Sequence, residues 1–402
     1  MSRLHRDECF LNEAENFSED GLLEEPNKME RNEICALALM IILIVATIGI
    51  TAWVFFAPPP PEPETPNPYQ VAIVFATGGL GDKSFNDGCY DGAVMARNDF
   101  GIEFVYSEPR AISQYEPFLR AYATHPGVAD PFDLIIAIGY DQADAVMAVA
   151  EDYPDQSFAI VDMFIDPATY PNVRSILFAE EQGGALVGAL AGLYTSTGKI
   201  AFVGGMDIPL IRKFAAGYFW GANITSPGIA MNNSKTAFVD NAWVGDWANP
   251  GLAETIADGL YAGGFDIIFA AAGRSGLGVI DSAKKNNVTL GPIWAIGVDS
   301  PQMYLGTADP ENPVAPTVVL TSMLKRVDVA INDTMVRKVI ADEDIGGLAF
   351  YNLANGGVGW ELNNNLLGTA WAVSPADQTT INDLAADIIA GTYTVPVDFS
   401  WL

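Results

Sequence analysis

Apolar and polar positions follow two rhythms along this chain. Residues 34–57 read ICALALMIILIVATIGITAWVFFA, an apolar run without a single charged side chain. From residue 69 onward, short apolar runs alternate with stretches of helical spacing. The runs predict strands at 69–76, 102–107, 132–139, 156–162, 172–179, 199–205, 235–240, 265–273 and 292–300. Between them the spacing predicts helices at 85–99, 112–125, 141–154, 180–195, 209–224, 249–264 and 275–286. The segment 314–342 reads as one more strand and a long helix, with Lys325 placed on the helix. FDLIIAIG at 132–139 is apolar throughout, as strands of parallel sheets are when both faces are covered. Alternating strands and helices imply parallel sheets with helices on both faces.

The apolar run of 24 residues would be roughly 36 Å long as a helix, enough for a bilayer core of about 30 Å. Trp53, Phe55 and Phe56 crowd one end, as interfacial aromatics do. A cleaved signal peptide is the competing reading, but the run is long for one and a charged leader of 33 residues precedes it. A lipid-modified cysteine should follow such a run, whereas Cys35 sits at its start. Lys28 and Arg31 lie just before the run, and no Lys or Arg follows until Lys83. The expected topology is therefore a plasma-membrane protein with one span. Residues 1–33 form a cytoplasmic tail, 34–57 the transmembrane helix and 69–402 an extracytoplasmic domain. PPPPEPETPNP at 58–68 reads as a semi-rigid spacer of extended polyproline conformation.

The outer segment has 334 residues, more than one core usually serves, so two α/β lobes are expected. Ligands of open α/β sheets bind beyond the carboxyl ends of the strands. Here those ends are rich in Gly and polar residues: FATGGLGDKSFND, AIGYDQ, AIVDMF, FVGGMD, AAAGRSG and AIGVDS.

Composition narrows the chemistry. The chain has 50 acidic and 20 basic side chains and a formal net charge of -30. The first 33 residues hold ten acidic and four basic groups, so most of the excess belongs to the outer domain. No basic surface is available for nucleic acid, and none is expected as a partner. The chain has two histidines, His5 and His125, and three cysteines, Cys9, Cys35 and Cys89. That scarcity argues against a zinc site, a Cys–His nucleophile or a disulfide framework, and no cofactor or metal is expected.

The richest segment is TGGLGDKSFNDG at 77–88. It lacks the GxxxxGK[ST] spacing of a phosphate loop. Ser84 or Asp82 could cap the helix that follows, presenting Ser84, Phe85 and Asn86 to a polar ligand. Asp162 and Asp299 each end an apolar strand, where a carboxylate can accept two hydroxyls of a ribose or simply close a turn. Trp247 precedes a helix and could stack on a planar base or pack between lobes. Lys325 could charge-pair in the cleft or be a solvated lysine.

Taken together, GDKSFND, FAIVD, EEQGGALVGALAG, FVGGMDIPLIRKFAAGY, FAAAGRSGLGVIDSAK, AIGVDSPQ and VLTSMLKRVD fall in the order seen in the basic membrane protein family. The segment 70–360 resembles these substrate-binding proteins of ABC transporters, of which the purine nucleoside receptor is the best-known type. The resemblance implies a type I periplasmic-binding-protein fold, with two doubly wound α/β lobes, a three-stranded hinge and a central cleft. It further implies a base sandwiched by Phe85 and Trp247 and recognised by Asn86. Asp162 and Asp299 would hold the ribose beside Lys325, with Gly273 and Gly276 in a turn that admits the ligand. The chain departs from the family at Ala76, where the receptor has an Asp; Thr77 or Asp82 could replace that contact. Asn249 likewise stands where the family often has Asp, and Trp stands at 247 in place of the usual Phe.

The function expected is a membrane-tethered protein that captures a nucleoside, a purine one foremost, and delivers it to an ABC permease and its ATPase. It is not expected to be an enzyme; a nucleoside-cleaving enzyme using Asp162 or Asp299, or an anchored nucleoside sensor, are the alternatives. Sequons at Asn223, Asn232, Asn287 and Asn332 are compatible with glycosylation.

Overall fold

The computed structural model describes residues 31–56, 68–125, 131–227, 229 and 243–400. The chain divides into two units, Met1–Pro63 and Glu64–Leu402. The first contains helix α1 (Arg31–Phe56), which includes nearly all of the uncharged run. Its described side chains cover residues 31–47 and are exposed. These fall short of a bilayer core in length. Among the described residues, no helix is long and apolar enough to cross a membrane.

The second unit contains two sheets. The first has the order β10-β5-β4-β3-β1-β2, all parallel, from β1 (Val71–Val74), β2 (Phe104–Ser107), β3 (Leu134–Ala137), β4 (Phe158–Val161), β5 (Val173–Phe178) and β10 (Gly347–Tyr351). The second has the order β11-β9-β8-β7-β6, from β6 (Ile200–Gly204), β7 (Ile267–Ala271), β8 (Trp294–Asp299), β9 (Val319–Lys325) and β11 (Val358–Trp360). Its strands are parallel except β11, which runs antiparallel to β9. The chain passes between the sheets after β5, after β9 and after β10, which makes three crossings.

The apolar strands are buried on both faces, and their period of two divides them between two cores. Val71 and Ile73 of β1 join Leu134 and Ile136 of β3 in one cluster. Ala72, Val74, Ile135 and Ala137 point into the other. A continuous apolar run needs exactly this arrangement, since every second residue would otherwise face water.

The helices are α2 (Phe85–Phe100), α3 (Tyr115–Thr124), α4 (Ala143–Asp152), α5 (Glu180–Tyr194), α6 (Pro209–Thr225), α7 (Pro250–Ala262), α8 (Gly276–Leu290), α9 (Val327–Val339), the short α10 (Asn364–Leu367) and α11 (Pro375–Ile389). The expected helix at 112–125 opens with a 3-10 turn at Ile112–Gln114. The expected strand at 235–240 lies outside the described residues. One placement is corrected: Lys325 is the last residue of β9, and α9 begins two residues later.

α5 and α6 cross in close contact because small residues face each other. A Cβ on Gly188 would overlap the carbonyl oxygen of Tyr218, and one on Gly221 that of Ala185. Backbone cannot yield as a side-chain tip can, so Gly188→Ala is expected to cost about 1–3 kcal/mol of stability. Denaturant unfolding of the variant checks this; an unchanged midpoint would mean that the helices separate at little cost.

Candidate functional site

A cavity lies where the strand ends of the two sheets face each other. The first lobe supplies Ala76, Gly78, Asp82, Phe85 and Asn86 after β1, and Gly139, Tyr140 and Asp141 after β3. The second supplies Ile211 and Phe214 of α6, Trp247, Ala271 to Arg274 after β7, and Val298, Asp299 and Lys325. About 80 Å³ is open to the centre of a water-sized sphere. One water needs roughly 10–15 Å³ on that measure, so the space suits a small molecule.

The lobes meet directly around it. Ser84 Oγ donates to Asp299 Oδ2 at 2.5 Å, and Ser300 Oγ to the Ser84 carbonyl at 3.2 Å. Gln302 Nε2 donates to the Lys83 carbonyl at 2.7 Å, and Arg274 Nη2 to that of Leu80 at 2.5 Å. These bonds join loops that follow strands of different sheets, so the arrangement is a closed one.

The loop after β1 is built around a carboxylate. Asp82 accepts the backbone N–H groups of Ser84, Asn86 and Asp87. It thus caps α2, whereas the Ser84 side chain does not. Asp87 accepts from Gly81 N and Lys83 N, and Glu108 from Leu80 N. With these N–H groups already given to carboxylates, the loop is no phosphate cradle. Asn86 is buried, with Oδ1 accepting Ala76 N at 3.2 Å and Nδ2 donating to Asp82 at 3.2 Å. Asp82 thereby receives four hydrogen bonds, the capacity of a carboxylate. It lines the cavity but has no acceptor site left for a ligand. Thr77 does not line the cavity, and its N–H goes to the Tyr115 hydroxyl.

Asp162 and Asp299 occupy matching places in the two lobes, and both are left-handed, with φ of 70° and 64°. Asp is one of the few non-glycine residues that visit this conformation, and here both side chains bond to distant groups, Asp162 to Lys325 and Asp299 to Ser84. Their surroundings differ. Asp299 lines the cavity, while Asp162 lies behind Lys325 and outside the lining. Lys325 Nζ is 2.7 Å from both Asp162 oxygens and 3.2 Å from Glu180 Oε1. The rings of Phe178, Phe85 and Phe214 lie 4.9, 5.3 and 5.7 Å from that ammonium. Burial works against the ammonium, but Asp162, Glu180 and Asp299 outweigh it and hold Lys325 above the ordinary lysine range.

Burial pushes the Asp299 carboxyl up to about 7, against the pull of Lys325 and the Ser84 hydroxyl. The folded chain then keeps a proton that the unfolded chain releases near 3.8. Stability from this group is full below that lower value and is lost as pH rises towards 7. Asp299→Asn is expected to flatten the decline in stability between about pH 4 and 7, read from denaturant midpoints against wild type. Glu181, also pushed by burial to about 7, titrates in the same window in both proteins. An unaltered slope would mean that Asp299 stays ionised.

Trp247 is fixed by its neighbours. Its carbonyl accepts Ser275 N at 3.0 Å, and Ser275 Oγ donates to the Asp246 carbonyl at 2.7 Å. Its ring lies over Gly205, where any Cβ would strike it, and beside Gly273, whose φ is 55°. Asn249 is the cap of α7, accepting Leu252 N at 3.1 Å. Gly276 lies outside the lining and has room for a Cβ. Ser84 is likewise outside it, acting through Asp299. Sequence reasoning missed Tyr140, Asp141, Ile211, Phe214, Arg274 and Val298. The strand-end segments AIGYDQ, AAAGRSG and AIGVDS contained four of these; Ile211 and Phe214 are α6 residues whose spacing reads as core.

Of the sequons, Asn232 lies outside the described residues. Asn287 Oδ1 accepts Ile293 N. The Nδ2 of Asn332 is buried, which leaves no room for a glycan at that nitrogen. Asn223 is half-buried on α6.

The chain is similar to several known proteins. Residues 69–396 match the family model Bmp, described as ABC transporter substrate-binding protein PnrA-like. An ABC transporter nucleoside-binding protein, BmpA, of Lactococcus lactis is 31% identical over 334 residues, covering 81% of this chain and 89% of that protein. A CD4+ T-cell-stimulating antigen of Listeria innocua is 35% identical over 300 residues, covering 72% and 79%. An uncharacterized lipoprotein of Pyrococcus furiosus is 32% identical over 299 residues, covering 73% and 70%. Among solved structures, an ABC transporter solute-binding protein of Aeropyrum pernix superposes with a TM-score of 0.65 at 25% identity, covering 82% of this chain and 94% of that one. The two parallel sheets with helices on both faces are thus the fold of periplasmic solute-binding proteins, and the chain belongs to the Bmp family of PnrA-like ABC transporter substrate-binding proteins.

Proposed function

We propose that this protein captures a nucleoside, a purine one foremost, between its lobes and delivers it to an ABC permease. The observation that carries this reading is the cavity itself. It places Phe85 and Trp247 on opposite lobes and a buried carboxylate, Asp299, beside Lys325. Aromatic faces suit a base, and a carboxylate suits the paired hydroxyls of a ribose. In this reading Phe85 and Trp247 stack on the base, Asn86 bonds its edge and Asp299 accepts the ribose. Gly273 lets backbone approach the ligand. Lys325 sets the charge of that end, with Asp162 behind it. The relative in Lactococcus lactis named as nucleoside-binding supports the ligand class.

The fold would then be of type I, opening and closing about the three crossings, and closure would be the state the permease reads. The run at 34–57 would hold the domain outside the cell by a single span with its N-terminus inside. Membrane sedimentation of the full chain after an alkaline wash tests the span; release into the supernatant would sink it.

Calorimetry on purified residues 69–402 tests the ligand. Binding of adenosine, guanosine or inosine is expected, and no heat from any of them or from uridine would overturn the reading. The nucleoside is expected back unchanged after incubation. Released free base on chromatography would favour the hydrolase alternative.

A further inference from the structure

Asp141 has no place in the function outlined so far. It lines the cavity from the loop after β3. Its Oδ2 accepts the hydroxyl of Tyr115 at 3.0 Å, and that hydroxyl accepts Thr77 N at 3.0 Å. Tyr115 is fully buried, so the carboxylate is pinned from behind. Apart from its own backbone N–H, no group among the described residues donates to the other oxygen. Gly139 locates that oxygen. A Cβ placed there would lie 3.1 Å from Asp141 Oδ1 and 3.4 Å from the Ala76 methyl. Asp141 Oδ1 and the Ala76 methyl thus both border Gly139, and Asn86 is bonded to Ala76 N, so the three residues share this end of the cavity.

The other groups at this end have less to offer. Asp82 already receives four hydrogen bonds. Asn86 retains one N–H of its amide. An ionised carboxylate accepts only, so Asp141 demands a donor on the ligand. Asp299 and Lys325 lie at the sugar end, leaving Ala76, Asn86 and Asp141 to meet the base.

We infer that Asp141 is the specificity residue of the base end, accepting an N–H of the base edge and rejecting bases that lack one. This rests on the nucleoside reading above. The probes are adenosine, with an exocyclic amino group, inosine, with a ring N–H, and purine riboside, which has neither on that edge. The wild-type domain is expected to bind adenosine or inosine at least roughly tenfold more tightly than purine riboside, since a site that bonds an N–H leaves its acceptor unpaired when the donor is missing. Asp141→Ala is expected to collapse that ratio towards one by weakening the donor-bearing ligands and sparing purine riboside. Equal wild-type affinities would overturn the inference, and the comparison needs no variant. An unchanged ratio in a folded Asp141→Ala would overturn it too. In both cases nucleosides still bind and the broader function stands, whereas no binding of any nucleoside to wild type overturns both.

Discussion

Lys325→Met is expected to cost about 3–5 kcal/mol of folding stability at neutral pH, the usual consequence of removing one partner from a buried ion pair. Lys325 is 2% exposed, and its ammonium stands between Asp162 and Glu180, whose side chains are 6% and 1% exposed. Methionine has a similar length and would pack against Phe178, Phe85 and Phe214. It brings no positive charge, so two carboxylates are left facing each other out of water. The loss should shrink as pH falls. Burial already drives the Asp162 carboxyl up, and only the ammonium opposes it strongly. Without the ammonium the carboxyl rises further, and its protonation in acid relieves the repulsion. Chemical unfolding at pH 7 and pH 5 measures both effects. The double variant Lys325→Met with Asp162→Asn should recover part of the loss, since the two residues act as one unit. A single variant within about 1 kcal/mol of wild type would show that the pair contributes little and that water or a rearranged partner replaces it.

Trp247→Ala and Phe85→Ala are each expected to weaken nucleoside binding by about one to two orders of magnitude. Stacking on an aromatic face contributes roughly 1–3 kcal/mol per base. Trp247 covers the cavity from the second lobe, with its ring over Gly205 and its carbonyl bonded to Ser275. Phe85 is the first residue of α2, set by the Asp82 cap. Trp247→Phe should retain most of the affinity, because a ring of the same orientation remains. Calorimetry on the purified domain reads all three. An alanine variant that binds as wild type does would remove that ring from the site and leave it a packing role between lobes.

The site was legible in the sequence where chemistry and local structure coincide. GDKSFND announced a capped helix start, and VD at two strand ends announced two carboxylates. The strand and helix rhythm gave almost every described element up to residue 342. The elements after it escaped for physical reasons. β10 is an edge strand whose Leu348 and Phe350 face solvent, and β11 is three residues long. Neither produces the buried run that marks a strand from sequence alone. Lys325 was misplaced because the helical spacing of α9 continues backward into SMLK, although β9 pairs those residues with β8 and β11.

Local sequence determined the alternation of strands and helices, the acidic net charge and the residue types at the strand ends. These depend on periodicity, turn chemistry and composition, which neighbouring residues carry. The tertiary structure alone decided which strand ends face each other. It put Asp299 in the cavity and Asp162 behind Lys325, although both residues end their strands in the same conformation. It pinned one oxygen of Asp141 to the Tyr115 hydroxyl and left the other, among the described residues, with its own backbone N–H alone. The ion pair of Lys325 with Asp162 and the bond from Ser84 to Asp299 join residues more than a hundred positions apart, so only the packing of distant segments settles which carboxylate meets a cation and which lines the cavity.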